Sequence, residues 1–186
     1  MELGNSYCNQ AFAGKLSQLH KAYHDTSYGF KAANDNELFG SLILEINQAG
    51  LSWNTVLNKK DTIKKAYADY SIQKIAAFRD ADIAVLMNNP GIIRMRGKIT
   101  AIIYNANQIL KIQKEAISFE KWLDSQGTLS VEDWIKLFKK HFKFTGKEIT
   151  KEFLMGNGYL KGAHEKGCPI YEKSIAAHPI WYVNKT

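Results

Sequence analysis

Cysteine is scarce in this chain, and so are several patterns that would place it in familiar classes. Only two cysteines occur in 186 residues, Cys8 and Cys168, at opposite ends. A reducing compartment argues against a disulfide between them and leaves metal ligation or plain buried thiols. No apolar run approaches the ~18 residues of a membrane span, and the opening MELGNSYCNQ lacks the basic-then-apolar layout of a secretory signal. A soluble, cytoplasmic protein with no membrane partner is expected. Internal repeats, low-complexity tracts and interdomain linkers are missing, so 1–186 reads as a single domain. Convincing apolar–polar alternation is missing too, which leaves strands without support and makes the fold all-α. Negative charge runs short: 18 Asp+Glu face 25 Lys+Arg, for a net charge of +7. That balance attracts polyanions and makes nucleic acid the leading partner class.

What the chain does have is a hydrophobic content of 45%, enough for a substantial core, and a series of helical patterns organised around LEINQAGLSW, residues 44–53. Asn34 and Glu37 form a capping-box start. Leu38, Phe39, Leu42, Ile43, Ile46 and Ala49 then recur at helical spacing, predicting a helix over about 35–49 that ends at Gly50. On the helical wheel Glu45 falls at the edge of this apolar stripe, beside Leu42 and Ala49. A carboxylate half withdrawn from water costs several kcal/mol unless cations or donors meet it. Two readings are open: an exposed or Lys-paired Glu, or an acid that converges with Trp53 on one pocket.

Before this stretch, Leu16, Leu19, Ala22 and Tyr23 give a weak stripe for a short helix ending near Gly29. After it, a helix is expected over about 53–70 with Val56, Leu57, Ile63, Ala66 and Tyr67 inward. Ser71 caps a short helix and Asp80 opens another, stopped by Pro90 and Gly91. The basic turn GIIRMRGK feeds a long helix with Ile99, Ile102, Ile103, Ala106, Ile109 and Leu110 inward. Helices over about 118–124 and 130–140 come next. Thr145 and Glu148 form a second capping box over a helix from Gly146 to about Met155, closed by Gly156 and Gly158.

Two constellations carry chemistry. Residues 131–155 form a helix, the turn HFKFTG and a second helix whose N-terminus, Gly146-Lys147, offers free N–H groups and a positive dipole to a phosphate. Six lysines crowd this unit, and it reads either as a DNA anchor or as a solvated basic hairpin. His164 and Cys168 stand at a spacing at which both can meet one Zn²⁺, and Cys8 and His24 could supply the other pair. His20, one turn before His24, is the substitute if Cys8 does not reach. Four unrelated residues is the alternative. Of the aromatics near turns, Tyr28 and Phe144 default to the core.

AYHDTSYG, LFGSLILEINQAGLSW, NNPGIIRMRGKITAIIYNA, HFKFTGKEITKEFL and HEKGC together resemble the DNA-3-methyladenine glycosylase I family of base-excision repair, over roughly Tyr23 to Cys168. The resemblance implies a helix-hairpin-helix glycosylase fold with the helix-hairpin-helix unit at about 131–155. It also implies a terminal lobe, about 1–30 with 156–186, that packs the chain's two ends together on one structural zinc. It makes Glu45 the base-binding carboxylate and catalytic residue, with Tyr23 and Trp53 as the aromatics that hold an extruded base. Gly50 and Leu51 become the turn that approaches the gap in the duplex, and the hairpin Phe142–Gly146 becomes the backbone anchor, with Lys143, Thr145, Gly146 and Lys147 on DNA. His24, His164 and Cys168 match three zinc ligands. The fourth in the family is a cysteine in a Cys-x-Trp about a dozen residues before the histidine, whereas Cys8 lies sixteen before His24 and precedes Asn9-Gln10. Tyr28 stands where the family has Trp, and His141 where the hairpin usually starts with Gly.

The expected function is hydrolytic excision of N3-methyladenine from alkylated double-stranded DNA by a monomer that frees 3-methyladenine. No Asp lies about twenty residues past the hairpin, where related glycosylases keep a catalytic one. Water is therefore expected to attack without a Schiff base and without strand cleavage, Glu165 being a fallback catalytic candidate. The rival classes are a non-catalytic DNA-binding module and a metal-stapled scaffold for a protein partner.

Overall fold

The computed structural model describes residues 6–183, and every regular element among them is helical. The helices are α1 (Tyr7–Phe12), α2 (Gln18–Thr26), α3 (Asp35–Gln48), α4 (Trp53–Leu57), α5 (Lys60–Ala66), α6 (Ile72–Ala76), α7 (Asp80–Asn88), α8 (Arg96–Ala116), α9 (Phe119–Ser125), α10 (Val131–His141), α11 (Lys147–Gly156), α12 (Tyr171–Ala176) and α13 (Ile180–Val183). None of them is long and apolar enough to cross a membrane. Two compact units result: Ala33–Phe153, and a second unit built from the chain's two ends, Met1–Ala32 with Leu154–Thr186.

The larger unit is assembled around α3. Asn34 caps it, its Oδ1 accepting the Glu37 N–H at 3.1 Å. Only this half of the expected box forms, because the Glu37 carboxylate goes to Lys64 Nζ at 2.5 Å. Burial of α3 exceeds what the amphipathic reading predicts: Leu44, Glu45 and Asn47 are buried along with Leu38, Phe39, Leu42, Ile43 and Ile46. A helix enclosed on all faces lies inside its domain rather than on its surface. At its start the Asp35 carboxylate accepts from the backbone N–H of Phe119 (2.7 Å) and Glu120 (3.0 Å) and from Gln113 Nε2 (2.6 Å). One side chain thereby ties the beginning of α3 to that of α9 and the end of α8.

The single helix expected over 53–70 is instead two short helices and a left-handed turn. Ala68, Asp69 and Tyr70 have φ of 50°, 55° and 61°, a conformation that costs roughly 1–2 kcal/mol per L-residue. The turn brings the buried Tyr70 ring onto Gly40 of α3, where a Cβ would lie 2.2 Å from Tyr70 Cδ2. Helix propensity alone favours Gly40→Ala by about 1 kcal/mol. Overpacking against the ring reverses the sign, and chemical denaturation should show a loss of about 3 kcal/mol.

In α8 the buried face runs through Lys98, Ile102, Asn105, Ile109 and Ile112, while Ile103 and Leu110, expected inward, are only half-buried. Two polar residues on this face hold neighbouring turns in place. Lys98, 2% exposed, donates from Nζ to the carbonyls of Asn47 (2.8 Å) and Ala49 (2.7 Å). Its cation thus closes the C-terminal end of α3, where the helix dipole is negative. Asn105 pins Lys143 from both sides, Oδ1 accepting its N–H at 2.8 Å and Nδ2 donating to its carbonyl at 3.0 Å.

In the terminal unit the inward face of α2 is His20 and His24, whereas Leu19, placed in the apolar stripe by spacing, is 40% exposed. The polar histidines win the interior because partners wait for them there.

Candidate active site and metal centre

Glu45 is the residue that most needs an explanation. It is 7% exposed, and no hydrogen bond or ion pair reaches its carboxylate from the described residues. Burial, reinforced by the charge of Glu152, pushes its pKa up to about 8. The exposed, Lys-paired reading is therefore excluded. Past Glu45, α3 ends at Ala49, and Gly50 turns the chain with φ +79°, a value suited to glycine. Leu51 comes next, 39% exposed. Ser52 then caps α4, its Oγ accepting the Thr55 N–H at 3.2 Å, and α4 packs against α3 with the half-buried Trp53 at its first position. Lys98 anchors this turn from below. Spacing did not single it out, although its place one turn before Ile102 on the apolar side of α8 was a readable signal.

The α10–α11 connection departs from expectation at two residues, Thr145 and Phe144. Thr145, expected on DNA, is buried and donates its hydroxyl to the carbonyls of Phe138 (3.3 Å) and Phe142 (3.2 Å), so its side chain secures the turn from inside. Lys143 is exposed and its Nζ lies 4.3 Å from the Tyr104 ring centroid, but its N–H is already taken by Asn105. Phe144, expected in the core, is 37% exposed with φ +61°. Gly146 and Lys147 are exposed at the start of α11, as the anion-site reading requires.

The terminal unit gathers Cys8, His24, His164 and Cys168, all buried, with one donor atom from each lying within 4.8 Å of all the others. Cys8 Sγ is 3.4 Å from His24 Nε2 and 3.8 Å from His164 Nδ1, and Cys168 Sγ is 3.7 Å from each of the same nitrogens. A tetrahedral ion with thiolate bonds of about 2.3 Å and imidazole bonds of about 2.0 Å requires sulfur–nitrogen edges of about 3.5 Å. The geometry fits. Both rings are oriented by their other nitrogens: His24 Nδ1 bonds Asp25 Oδ1 at 2.8 Å and His164 Nε2 bonds the Tyr28 carbonyl at 2.7 Å. Such outer bonds fix the tautomer that aims the free nitrogen at a metal. Gly29 makes the second one possible, for at φ +86° it packs so closely that a Cβ would lie 2.8 Å from Ala163 Cβ. These four residues could hold one metal ion, with Cys8 in the fourth place. The substitute, His20, lies outside the four and faces the Tyr7 hydroxyl (3.4 Å).

Also in this unit, Tyr23 is half-buried with its ring 6.0 Å from that of Tyr28, and Tyr28 is buried as expected. Glu165 is exposed and accepts from Ser6 Oγ at 3.1 Å.

Residues 13–134 match the family model for methyladenine glycosylase. The DNA-3-methyladenine glycosylase 1 of Escherichia coli (strain K12) is 35% identical over 179 residues, covering 85% of this chain and 95% of the relative. A solved 3-methyladenine DNA glycosylase I from Staphylococcus aureus superposes with a TM-score of 0.79 at 32% identity, covering 89% of this chain and 97% of the other. A tyrosine-to-phenylalanine variant of 3-methyladenine DNA glycosylase I in complex with 3-methyladenine gives a TM-score of 0.79 at 31% identity, with coverage of 87% and 97%. An all-helical frame enclosing a buried, unmatched acid, set beside these likenesses, defines a glycosylase. Within that class the chain belongs to the methyladenine glycosylase family.

Proposed function

We propose that the protein excises 3-methyladenine from alkylated double-stranded DNA, with Glu45 and Trp53 binding the extruded base. The observation that carries this reading is the Glu45 carboxylate, buried without a partner on α3 and held mostly protonated at neutral pH. Such a group is unstable as an anion until a cation arrives. Methylation at N3 makes adenine that cation and weakens its glycosidic bond.

The chemistry asks little acid catalysis of the protein. Extruding the nucleotide costs a few kcal/mol, less for a damaged base. As the cationic ring enters, Glu45 gives up its proton, accepts from the exocyclic amine and pairs with the ring charge. Stacking on Trp53 adds about 1–3 kcal/mol, with a cation–π part that ordinary adenine lacks. Water then bonds to C1′ and releases a proton to solvent. The C1′–N9 pair departs with the base, which leaves neutral. No lysine forms a Schiff base in this scheme, so the strand stays uncut. Glu165, engaged with Ser6, is given no catalytic part.

The α10–α11 pair is read as a helix-hairpin-helix DNA anchor. Gly146 and Lys147 offer main chain and charge to a phosphate, and Lys143 contributes by its ammonium only. Thr145 stabilises the hairpin from within, while Gly50 and Leu51 approach the gap left in the duplex. Cys8, His24, His164 and Cys168 are proposed to bind one zinc ion. With four protein ligands it is structural and takes no part in a chemical step. A cytoplasmic monomer fits the reading.

Release of 3-methyladenine from methylated duplex, followed by chromatography, tests the assignment. For Trp53→Ala we expect kcat/KM to fall roughly tenfold to a hundredfold, the equivalent of one lost stacking partner. Binding to undamaged duplex should be unchanged, because no cation is removed. Full activity in this variant would remove Trp53 from the site. Salt-sensitive binding to duplex by the wild type without base release would favour a non-catalytic module.

A further inference from the structure

Three exposed apolar side chains stand on segments that meet at Lys98: the turn after α3, the residue before α8 and the 142–146 turn. Leu51 is 39%, Met95 47% and Phe144 37% exposed. Lys98 relates them. Its Nζ lies 2.7 Å from the Ala49 carbonyl, at the base of the Gly50–Leu51 turn, and 6.0 Å from the Phe144 ring centroid. Met95 sits just before α8, its carbonyl accepting the N–H groups of Lys98 (3.0 Å) and Ile99 (3.1 Å). The cations Arg94, Arg96, Lys143 and Lys147 are exposed along the same segments. An apolar patch flanked by positive charge matches a polyanion that has an apolar interior, and stacked base pairs behind a phosphate backbone are such a partner.

Phe144 shows that the patch is built rather than incidental. An aromatic residue with φ +61° is strained, and such strain persists only where the surroundings impose it. Here Asn105 grips the backbone of Lys143 on one side and the Thr145 hydroxyl bonds the Phe138 and Phe142 carbonyls on the other. Glycine would satisfy this turn without strain. The fold instead holds a large, exposed ring within 6.0 Å of the same Lys98 ammonium that binds the base of the Gly50–Leu51 turn.

We propose that Phe144, with Met95, forms a second apolar prong beside Leu51 that presses between base steps from the minor groove and helps hold the duplex open while a nucleotide is extruded. Phe, Met and Leu are the side chains that minor-groove proteins insert to unstack base steps. The methyl group on N3 of adenine also lies on the minor-groove edge. The inference rests on the DNA-glycosylase reading above and adds residues to it that act on the duplex rather than on the extruded base.

Phe144→Gly tests it, because this change relieves the left-handed strain and deletes the ring without touching charge. We expect kcat/KM on methylated duplex to fall roughly tenfold, with the same salt slope as wild type. Affinity for free 3-methyladenine should stay within about twofold, since that ligand needs no opened duplex. Thermal stability should be unchanged or higher. A duplex carrying 2-aminopurine beside a tetrahydrofuran abasic site reports the opening directly: wild type should raise its fluorescence and Phe144→Gly should not. Unchanged kcat/KM and fluorescence in the variant would overturn the proposal, as would a parallel fall in free-base affinity and melting temperature, which marks a structural role. The fluorescence arm holds whether or not the wild type releases 3-methyladenine, and absence of release would strike the activity reading alone.

Discussion

Glu45→Gln should lower base release by at least about a hundredfold and, at neutral pH, make the protein more stable. Loss of a charge-assisted contact to a cation in a dry site accounts for the first effect. The second is a matter of linkage. The pKa of Glu45 is about 8 in the folded chain against an ordinary 4.5. A raised folded pKa contributes stability that is complete below the unfolded value and is lost as pH rises from about 4.5 through about 8. By pH 8 the buried acid costs the fold on the order of a few kcal/mol relative to acidic solution. Glutamine, nearly the same shape and never charged, escapes that cost. Melting curves of wild type and variant should diverge as pH rises across this window and coincide at its acid end. The same proton sets the activity profile: kcat/KM reports the free enzyme, so it should rise with pH toward about 8, and any residual activity of Glu45→Gln should lack this limb.

Stripping the metal proposed for the terminal unit should be equally drastic in stability. Burial pushes the Cys8 thiol up to about 11 and the His164 imidazole down, so without an ion these two are held neutral side by side and the sulfur–nitrogen edges lose their purpose. A structural ion bound by four protein ligands contributes directly to folding. Treatment with a strong chelator, or Cys168→Ala, is expected to lower the melting temperature by on the order of 10 °C. Metal analysis of the purified protein should return one zinc per chain. His20→Ala, one turn from the centre but outside the four, should melt within about 2 °C of wild type. Equal loss in both variants would mean that the histidines are ordinary core residues.

How much of this could be read from residue order differs from site to site. Glu45 was legible because a charge on an apolar stripe is conspicuous, yet periodicity placed it at the margin, while α3 is enclosed on every side by partners distant in sequence. His164 and Cys168 announced themselves by spacing. The fourth position could not be decided between Cys8 and His20 until α1 was seen to carry Cys8 inward. Leu19 misled because a helix turns whichever face finds partners, and here two histidines found them. Phe144 was assigned to the core on residue type alone, and nothing local shows that tertiary bonds from Asn105 and Thr145 hold its backbone left-handed. The break at Ala68–Tyr70 is of the same kind, since it is set by the fit of the Tyr70 ring to Gly40.

Chromatography of the bases freed from methylated duplex by wild type and by Glu45→Gln, across pH 5 to 9, reaches the central claim most directly. The account predicts 3-methyladenine from the wild type, released faster as Glu45 loses its proton near pH 8, and almost none from the variant at any pH. Equal release by the two proteins, or a flat wild-type profile, would contradict it.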